Sequence, residues 1–172
     1  PFFPQTELHC GPAALATVLA SSGVAVTPDE LAPRLFIPER GGTLQAELIA
    51  ESRPHERIAV RLPTTLQGIA NALADGPPVL VLQNLRLSRW PAWHYAVVVG
   101  MDLDADRVIL RSGTEERLVE RASHFMRTWS IADRWAVVVV SPDEVPRSAN
   151  LRAWLMAAAP LESTGRADVA ER

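Results

Sequence analysis

Pro4-Gln5-Thr6-Glu7-Leu8-His9-Cys10-Gly11-Pro12-Ala13-Ala14-Leu15 sets the plan of this 172-residue chain. An extended, proline-bounded segment carries a glutamine and then the only cysteine, and a helix follows at once. Pro12 suits a first helical turn, because the amide it lacks would find no partner there. Ala13–Ala20 reads as helix, ended near Ser21-Ser22-Gly23 by serines and a C-terminal glycine. A thiol at a helix N-terminus meets free amides and the positive end of the helix dipole, which predicts a site favouring thiolate. A lone cysteine is as readily a small buried hydrophobe, so the choice rests on partner residues elsewhere in the chain.

Working outward, Thr27-Pro28-Asp29-Glu30 is a helix start, with Thr27 as cap, Pro28 first and acids in the opening turn. That helix runs to about Leu35. After Gly41-Gly42-Thr43, Leu44, Leu48 and Ile49 form a helical stripe through Ser52. Glu56–Leu62 alternates Ile58, Val60 and Leu62 with Arg57 and Arg61 and reads as a half-exposed strand. Thr64-Thr65 then caps a helix with Leu66, Ile69, Ala70 and Leu73 on one face, stopped at Gly76-Pro77-Pro78.

From there the period changes. Val79–Leu82, His94–Met101, Arg107–Leu110, Glu116–Glu120 and Arg134–Val140 are short β-rich runs separated by turn residues. Ala96–Val99 and Ala136–Val140 are apolar on both faces, as central strands are, and a short helix is expected at Ala122–Trp129. Asp102-Leu103-Asp104-Ala105-Asp106 resembles the opening of a calcium loop, but Arg107 stands where the glycine is required, so a charged hairpin turn is the better reading. Helices first and a mostly antiparallel sheet second predict an α+β fold with segregated layers. The expected division is a globular unit over 1–145, then a C-terminal helix within Asn150–Ala159 and a polar tail or linker from Pro160 through 172, where a second domain would attach if the natural protein is longer.

Composition narrows the function. Hydrophobic residues make up 48% of the chain, enough for one ordinary core. A net charge of −3 and a pI near 5.8 give no basic footprint for nucleic acid. All 17 cationic residues are arginine. A single cysteine excludes an internal disulfide and any multi-cysteine metal site. No cofactor is expected. No apolar run reaches the ~20 residues of a membrane span. The chain opens at Pro1 without a methionine or signal segment, so a processed form is expected and the compartment, cytoplasmic or exported, stays open.

Cysteine chemistry needs a base, and four histidines are available. His94 opens the apolar strand His94-Tyr95-Ala96-Val97-Val98-Val99-Gly100, which places it at a sheet edge that a cleft can reach. His9 should diverge from the thiol at the turn, His55 lies in a charged loop, and His124 has no apolar strand aiming it at a cleft. Trp90, Pro91 and Trp93 precede His94, and these aromatics can wall a substrate cleft or pack the sheet edge.

Together, Gln5-(x)4-Cys10-Gly11-Pro12-Ala13-Ala14-Leu15 and His94-Tyr95-Ala96-Val97-Val98-Val99-Gly100, 84 residues past Cys10, resemble the papain-like cysteine peptidases that process bacteriocin precursors after a double-glycine leader, in a stand-alone branch. The resemblance runs from Pro1 to about Pro142 and includes Phe125-Met126-Arg127-Thr128-Trp129 before the closing strand. It implies a papain-like fold, a bacterial origin, Cys10 as nucleophile, His94 as general base and acid, and Gln5 with the Cys10 amide as oxyanion donors. Such preplaced donors are worth about 3 kcal/mol each. The family's usual aspartate, which orients the histidine, is absent: the corresponding place reads Leu110-Arg111-Ser112-Gly113. Ser112 is the neutral side chain left for that task, a backbone carbonyl or a water could also serve, and Arg111 is expected to face out. The implied activity is a peptide-bond hydrolase with a peptide or protein substrate. The alternative is a weakened or inactive peptidase-like domain that binds a leader peptide or partner. Acyl transfer to an amine would use the same residues.

Overall fold

The computed structural model describes residues 1–4, 9–37, 42–86, 89, 91–147 and 150–163, with backbone only for 160–163. Three helices come first: α1 (Cys10–Ser21), α2 (Pro28–Leu35) and α3 (Gln45–Ser52). After a short 3-10 turn at Arg53–His55 come β1 (Ile58–Arg61), α4 (Leu66–Asp75), β2 (Val79–Asn84) and β3 (Trp93–Asp102). Then follow β4 (Arg107–Ser112), β5 (Glu115–Arg121), α5 (Ala122–Ile131), β6 (Ala136–Val140) and α6 (Leu151–Ser163).

Local chemistry sets several of these boundaries. Thr27 and Glu30 close a capping box at α2: the Glu30 carboxylate accepts from the Thr27 amide and hydroxyl, both at 2.7 Å. Thr65 caps α4 by accepting from the Gly68 amide at 3.0 Å. Gly76 ends that helix at φ 119°, a conformation open to glycine.

The strands form one antiparallel sheet in the order β1-β6-β2-β3-β4-β5. The apolar runs of β6, β2 and β3 lie inside it, as their two-sided hydrophobicity demands. Side chains alternate between faces. Leu80, Leu82, Tyr95, Val97, Val137 and Val139 pack against the α1–α3 side. Val79, Val81, Ala96, Val98, Val138 and Leu110 pack on the opposite side with Phe125 and Trp129 of α5 and Ala158 of α6. The fold is α+β, with one sheet between two helical layers.

Several expectations need correction. β2 continues two residues beyond Leu82, through buried Gln83 and Asn84. His55 sits in the 3-10 turn, its Nε2 3.6 Å from Glu51, and not in a loop. The last helix runs past Ala159 to Ser163, so the polar tail does not begin at Pro160. The remainder of that tail lies outside the described residues. At the hairpin after β3, the Asp102 carboxylate accepts from the Ala105 amide, and Asp106 accepts from the Ser123 amide at the start of α5. Among the described residues no helix is long and apolar enough to cross a membrane.

Candidate active site

Cys10 is the first residue of α1, and the helix behind it is buried from Gly11 through Leu19. This depth follows from Ala13, Ala14 and Ala16, whose small side chains let the helix lie close on the sheet. The thiol is half-buried, and the backbone amides of Tyr95, Gly11 and Cys10 itself favour its ionised form. A gap in the sheet makes this possible. The β3–β4 ladder starts at Val97–Arg111, so over Trp93–Ala96 the described pairing of β3 runs through β2 alone. The Tyr95 amide is thereby available to a sulfur at the split.

His94 sits beside that amide. Its cross-strand partner in β2 is Gln83, whose side chain bonds Thr128 of α5, so by register the imidazole belongs to the α5 face of the sheet. Ser112, at the end of β4 and two residues beyond core Leu110, lies on the same face. Its Oγ is 2.8 Å from His94 Nε2. In place of the missing aspartate, His94 therefore has a neutral hydroxyl partner. With Nε2 engaged, Nδ1 is the nitrogen left for a thiol.

The electrostatics differ from the helix-dipole expectation. Burial pushes the Cys10 thiol above its ordinary value of 9.0, and the three amides pull it back only in part. Burial also holds His94 below 6.5. At neutral pH the resting pair is therefore thiol and neutral imidazole. The local geometry does favour thiolate, but desolvation is the larger effect. Tyr95, 3% exposed, is raised as well, by burial and then by the charge that Cys10 would carry, so its phenol stays a neutral donor.

Other sequence-predicted residues fall as follows. Trp93 is 53% exposed on β3 next to His94, so it borders solvent and does not pack into the core. Gln5 and Trp90 lie outside the described residues. Arg111 faces away from His94: it is half-buried, it pairs with Val97 in register, and its guanidinium donates to the Pro1 carbonyl, while Nε is buried without a partner. By strand alternation it points to the face opposite His94. His9 rests edge-on against Phe36, 6.2 Å between centroids, and His124 lies 3.8 Å from Glu120.

Sequence reasoning missed Gln83 and Thr43. Gln83, 2% exposed, donates to Thr128 Oγ1 at 2.8 Å and to Glu120 Oε1 at 3.4 Å. Thr43 lies against Gly11: a Cβ on that glycine would come within 2.6 Å of Thr43 Oγ1. The pairing of Gln83 with His94 was a possible clue only once strand register was known, and nothing local marks Thr43.

A cysteine at a helix start, facing a histidine-bearing strand at a split in an antiparallel sheet, defines a cysteine peptidase-like domain. The chain belongs to the Peptidase_C39-like family, whose model matches residues 1–136. No curated protein matches it significantly. Among solved structures it is similar to a C39-like peptidase from Bacillus anthracis, at 17% identity and TM-score 0.65, covering 82% of this chain and 94% of that one. It is also similar to the peptidase domain of Streptococcus ComA, a bifunctional ABC transporter involved in quorum sensing, at 17% identity and TM-score 0.61, with 80% and 96% covered. A double-glycine-motif protease from an AMS/PCAT transporter, solved with its leader peptide, gives 16% identity and TM-score 0.59, with 81% and 89% covered. These likenesses establish the papain-like C39 fold.

Proposed function

We propose that the chain is a cysteine endopeptidase that cleaves a peptide or protein precursor after small residues such as Gly-Gly. The observation that carries the reading is the His94–Ser112 contact of 2.8 Å beside the amide that meets the Cys10 sulfur. Ser112 Oγ accepts from Nε2–H, which leaves Nδ1 free to take the thiol proton. Because both groups are neutral at rest, proton transfer accompanies substrate binding and attack, with no preformed ion pair. Cys10 Sγ then bonds to the scissile carbonyl carbon, and its oxygen is stabilised by the Cys10 amide and Gln5. His94 returns the proton to the leaving amine as the C–N bond breaks. Water, deprotonated by His94, then hydrolyses the thioester and releases the thiol. Trp90 and Trp93 wall the cleft. Residues 1–145 form the peptidase unit, and 146–172 the C-terminal helix and tail.

A second reading has its own support: a neutral hydroxyl stands where the family uses a carboxylate, and the resting pair is uncharged. It makes the chain a weak or inactive peptidase-like module that grips a leader peptide. Incubating wild type and Cys10→Ala with Gly-Gly precursor peptides separates the two by mass spectrometry. Products from wild type alone, with at least a ~1,000-fold loss in Cys10→Ala, are expected. Equal binding by both proteins with no products would leave the binding module.

A further inference from the structure

Tyr95 makes two contacts that run in opposite directions from one residue. Its backbone amide is one of three that oppose the rise in the Cys10 thiol's proton affinity. Its side chain, on the α1 face, carries the hydroxyl to the Thr43 carbonyl, donating at 3.1 Å across 52 positions of sequence. Thr43 belongs to the turn between Gly42 and the start of α3, and that turn lies on Gly11. A Cβ at Gly11 would stand 2.6 Å from Thr43 Oγ1 and 2.7 Å from Thr43 Cβ. Thr43 Oγ1 is buried and has no hydrogen-bond partner. A methyl group in its place would lose no bond, so packing on Gly11 is what this side chain contributes. Gly11 in turn adjoins Cys10. The contacts close a ring: Tyr95 amide, Cys10, Gly11, Thr43, Tyr95 hydroxyl. The aromatic ring itself is fixed edge-on against Trp135, centroids 5.9 Å apart.

We propose that Tyr95 is a positioning residue for the Cys10 thiol, acting through its hydroxyl on the Thr43 turn that clamps Gly11 and the first turn of α1. The inference rests on the peptidase reading for its effect on turnover, though not for its effect on the thiol. Cutting the hydroxyl contact releases the turn, and the first turn of α1 gains freedom. The sulfur then spends less time on the Tyr95 amide and less time in line with His94. Gly11 is glycine for the same reason: no β-carbon fits under Thr43. The turn is thus part of the nucleophile's support even though it lies more than thirty residues away in the chain.

Tyr95→Phe keeps the ring, its packing on Trp135 and the amide, and removes only the hydroxyl. Alkylation of folded Cys10 by iodoacetamide at pH 7 should slow by roughly fivefold, the worth of one hydrogen bond to the thiolate. With a Gly-Gly peptide, kcat should fall by a similar factor and KM should stay within about twofold, because the change touches alignment and not ground-state binding. A loss of stability alone would expose the thiol and speed labelling, so slower labelling cannot come from it. Labelling at the wild-type rate or faster overturns the inference. Gly11→Ala should lose labelling and turnover more severely, and Thr43→Gly in the same chain, which keeps the carbonyl for Tyr95, should restore much of both. A Gly11→Ala protein that behaves as wild type, or one that Thr43→Gly does not rescue, also overturns it. If wild type cleaves no peptide, the peptidase reading fails, while the labelling comparison still decides the role of Tyr95.

Discussion

The two faces of the sheet satisfy their polar groups by different means. Around the nucleophile on the α1 face the partners are backbone atoms: amides act on Cys10, Thr17 Oγ1 donates to the Ala13 carbonyl at 2.9 Å, and Tyr95 donates to the Thr43 carbonyl, while side-chain pairs such as Arg34–Glu51 lie farther out in the helical layer. On the α5 face side chain meets side chain: His94 with Ser112, Gln83 with Thr128 and Glu120, and His124 with Glu120. A backbone partner is set by the fold and survives substitution of the residue that bears it. A side-chain partner is lost or exchanged by one codon. The nucleophile thus sits in surroundings the fold supplies, and the histidine depends on a residue that can vary, which is where this chain departs from the family pattern.

Exchanging Ser112 should produce the largest effect that tests this contrast. Ser112→Ala removes the acceptor that holds Nε2–H, so turnover should fall about tenfold without loss of fold. Ser112→Asp restores a carboxylate. Burial alone keeps the imidazole below 6.5, and an anion at hydrogen-bond distance favours the charged ring. In a Cys10→Ala background, the His94 resonances followed by NMR should therefore titrate at higher pH in Ser112→Asp than with serine. An unchanged titration would mean that the 2.8 Å contact does not govern the ring. The sign for stability follows. A histidine depressed in the fold contributes stability above its unfolded value near 6.5, and that contribution is lost as pH falls through the folded value. The raised thiol acts at the other end, losing stability as pH rises past its unfolded value near 9.0.

A matched pair of threonines compares the faces directly. Thr17 and Thr128 are both buried in helices, 2% and 5% exposed. Thr17→Val strands nothing, because the Ala13 carbonyl keeps its helical partner, and the cost should be under about 0.5 kcal/mol. Thr128→Val removes the 2.8 Å acceptor of the Gln83 amide and leaves only Glu120 at 3.4 Å. A buried donor short of its partner costs about 1–3 kcal/mol. Urea unfolding of the two variants should differ by that margin. Equal midpoints would erase the distinction between the faces.

The same distinction explains what was legible beforehand. Elements whose signals are local were readable: the Thr27 cap with its acidic first turn, the Thr65 cap, Gly76, and the two-sided apolar runs of β3 and β6. Cys10 at a helix start and His94 at a strand mouth belong with them, because spacing and periodicity place both. Gln83 and Asn84 were not read as strand, since their polar side chains suit a loop until the partners are known. Thr128 serves one, and the other accepts from the Arg86 and Ala92 amides. The thiol failed for a related reason. The helix-start amides that favour thiolate are local and were foreseen, whereas the Tyr95 amide and the burial that outweighs all three come from packing of α1 on β3. Thr43 carries no local signal, as its meaning exists only once Gly11 lies beneath it.

Glu120 offers the smallest test and bears on why the α5 face tolerates change. It is a half-buried carboxylate whose affinity for a proton is raised by burial, with His124 and the Gln83 amide opposing that rise. A carboxyl raised in the fold contributes stability below its unfolded value of 4.5, and loses it as pH rises through the folded value. At neutral pH the charge is therefore a net cost, reduced by partial exposure and by His124 when protonated. Glu120→Gln keeps an oxygen for the Gln83 amide and removes the charge. It should stabilise the protein by about a few tenths of a kcal/mol at pH 7, since His124 and the Gln83 amide offset part of the burial cost. At pH 4 the carboxyl of the wild type is largely protonated, so the gain should vanish. Urea midpoints at the two pH values measure the difference. A variant destabilised at pH 7 would show that the Glu120–His124 attraction outweighs burial, and would mean that this face retains an ion pair that contributes to stability while His94 does without one.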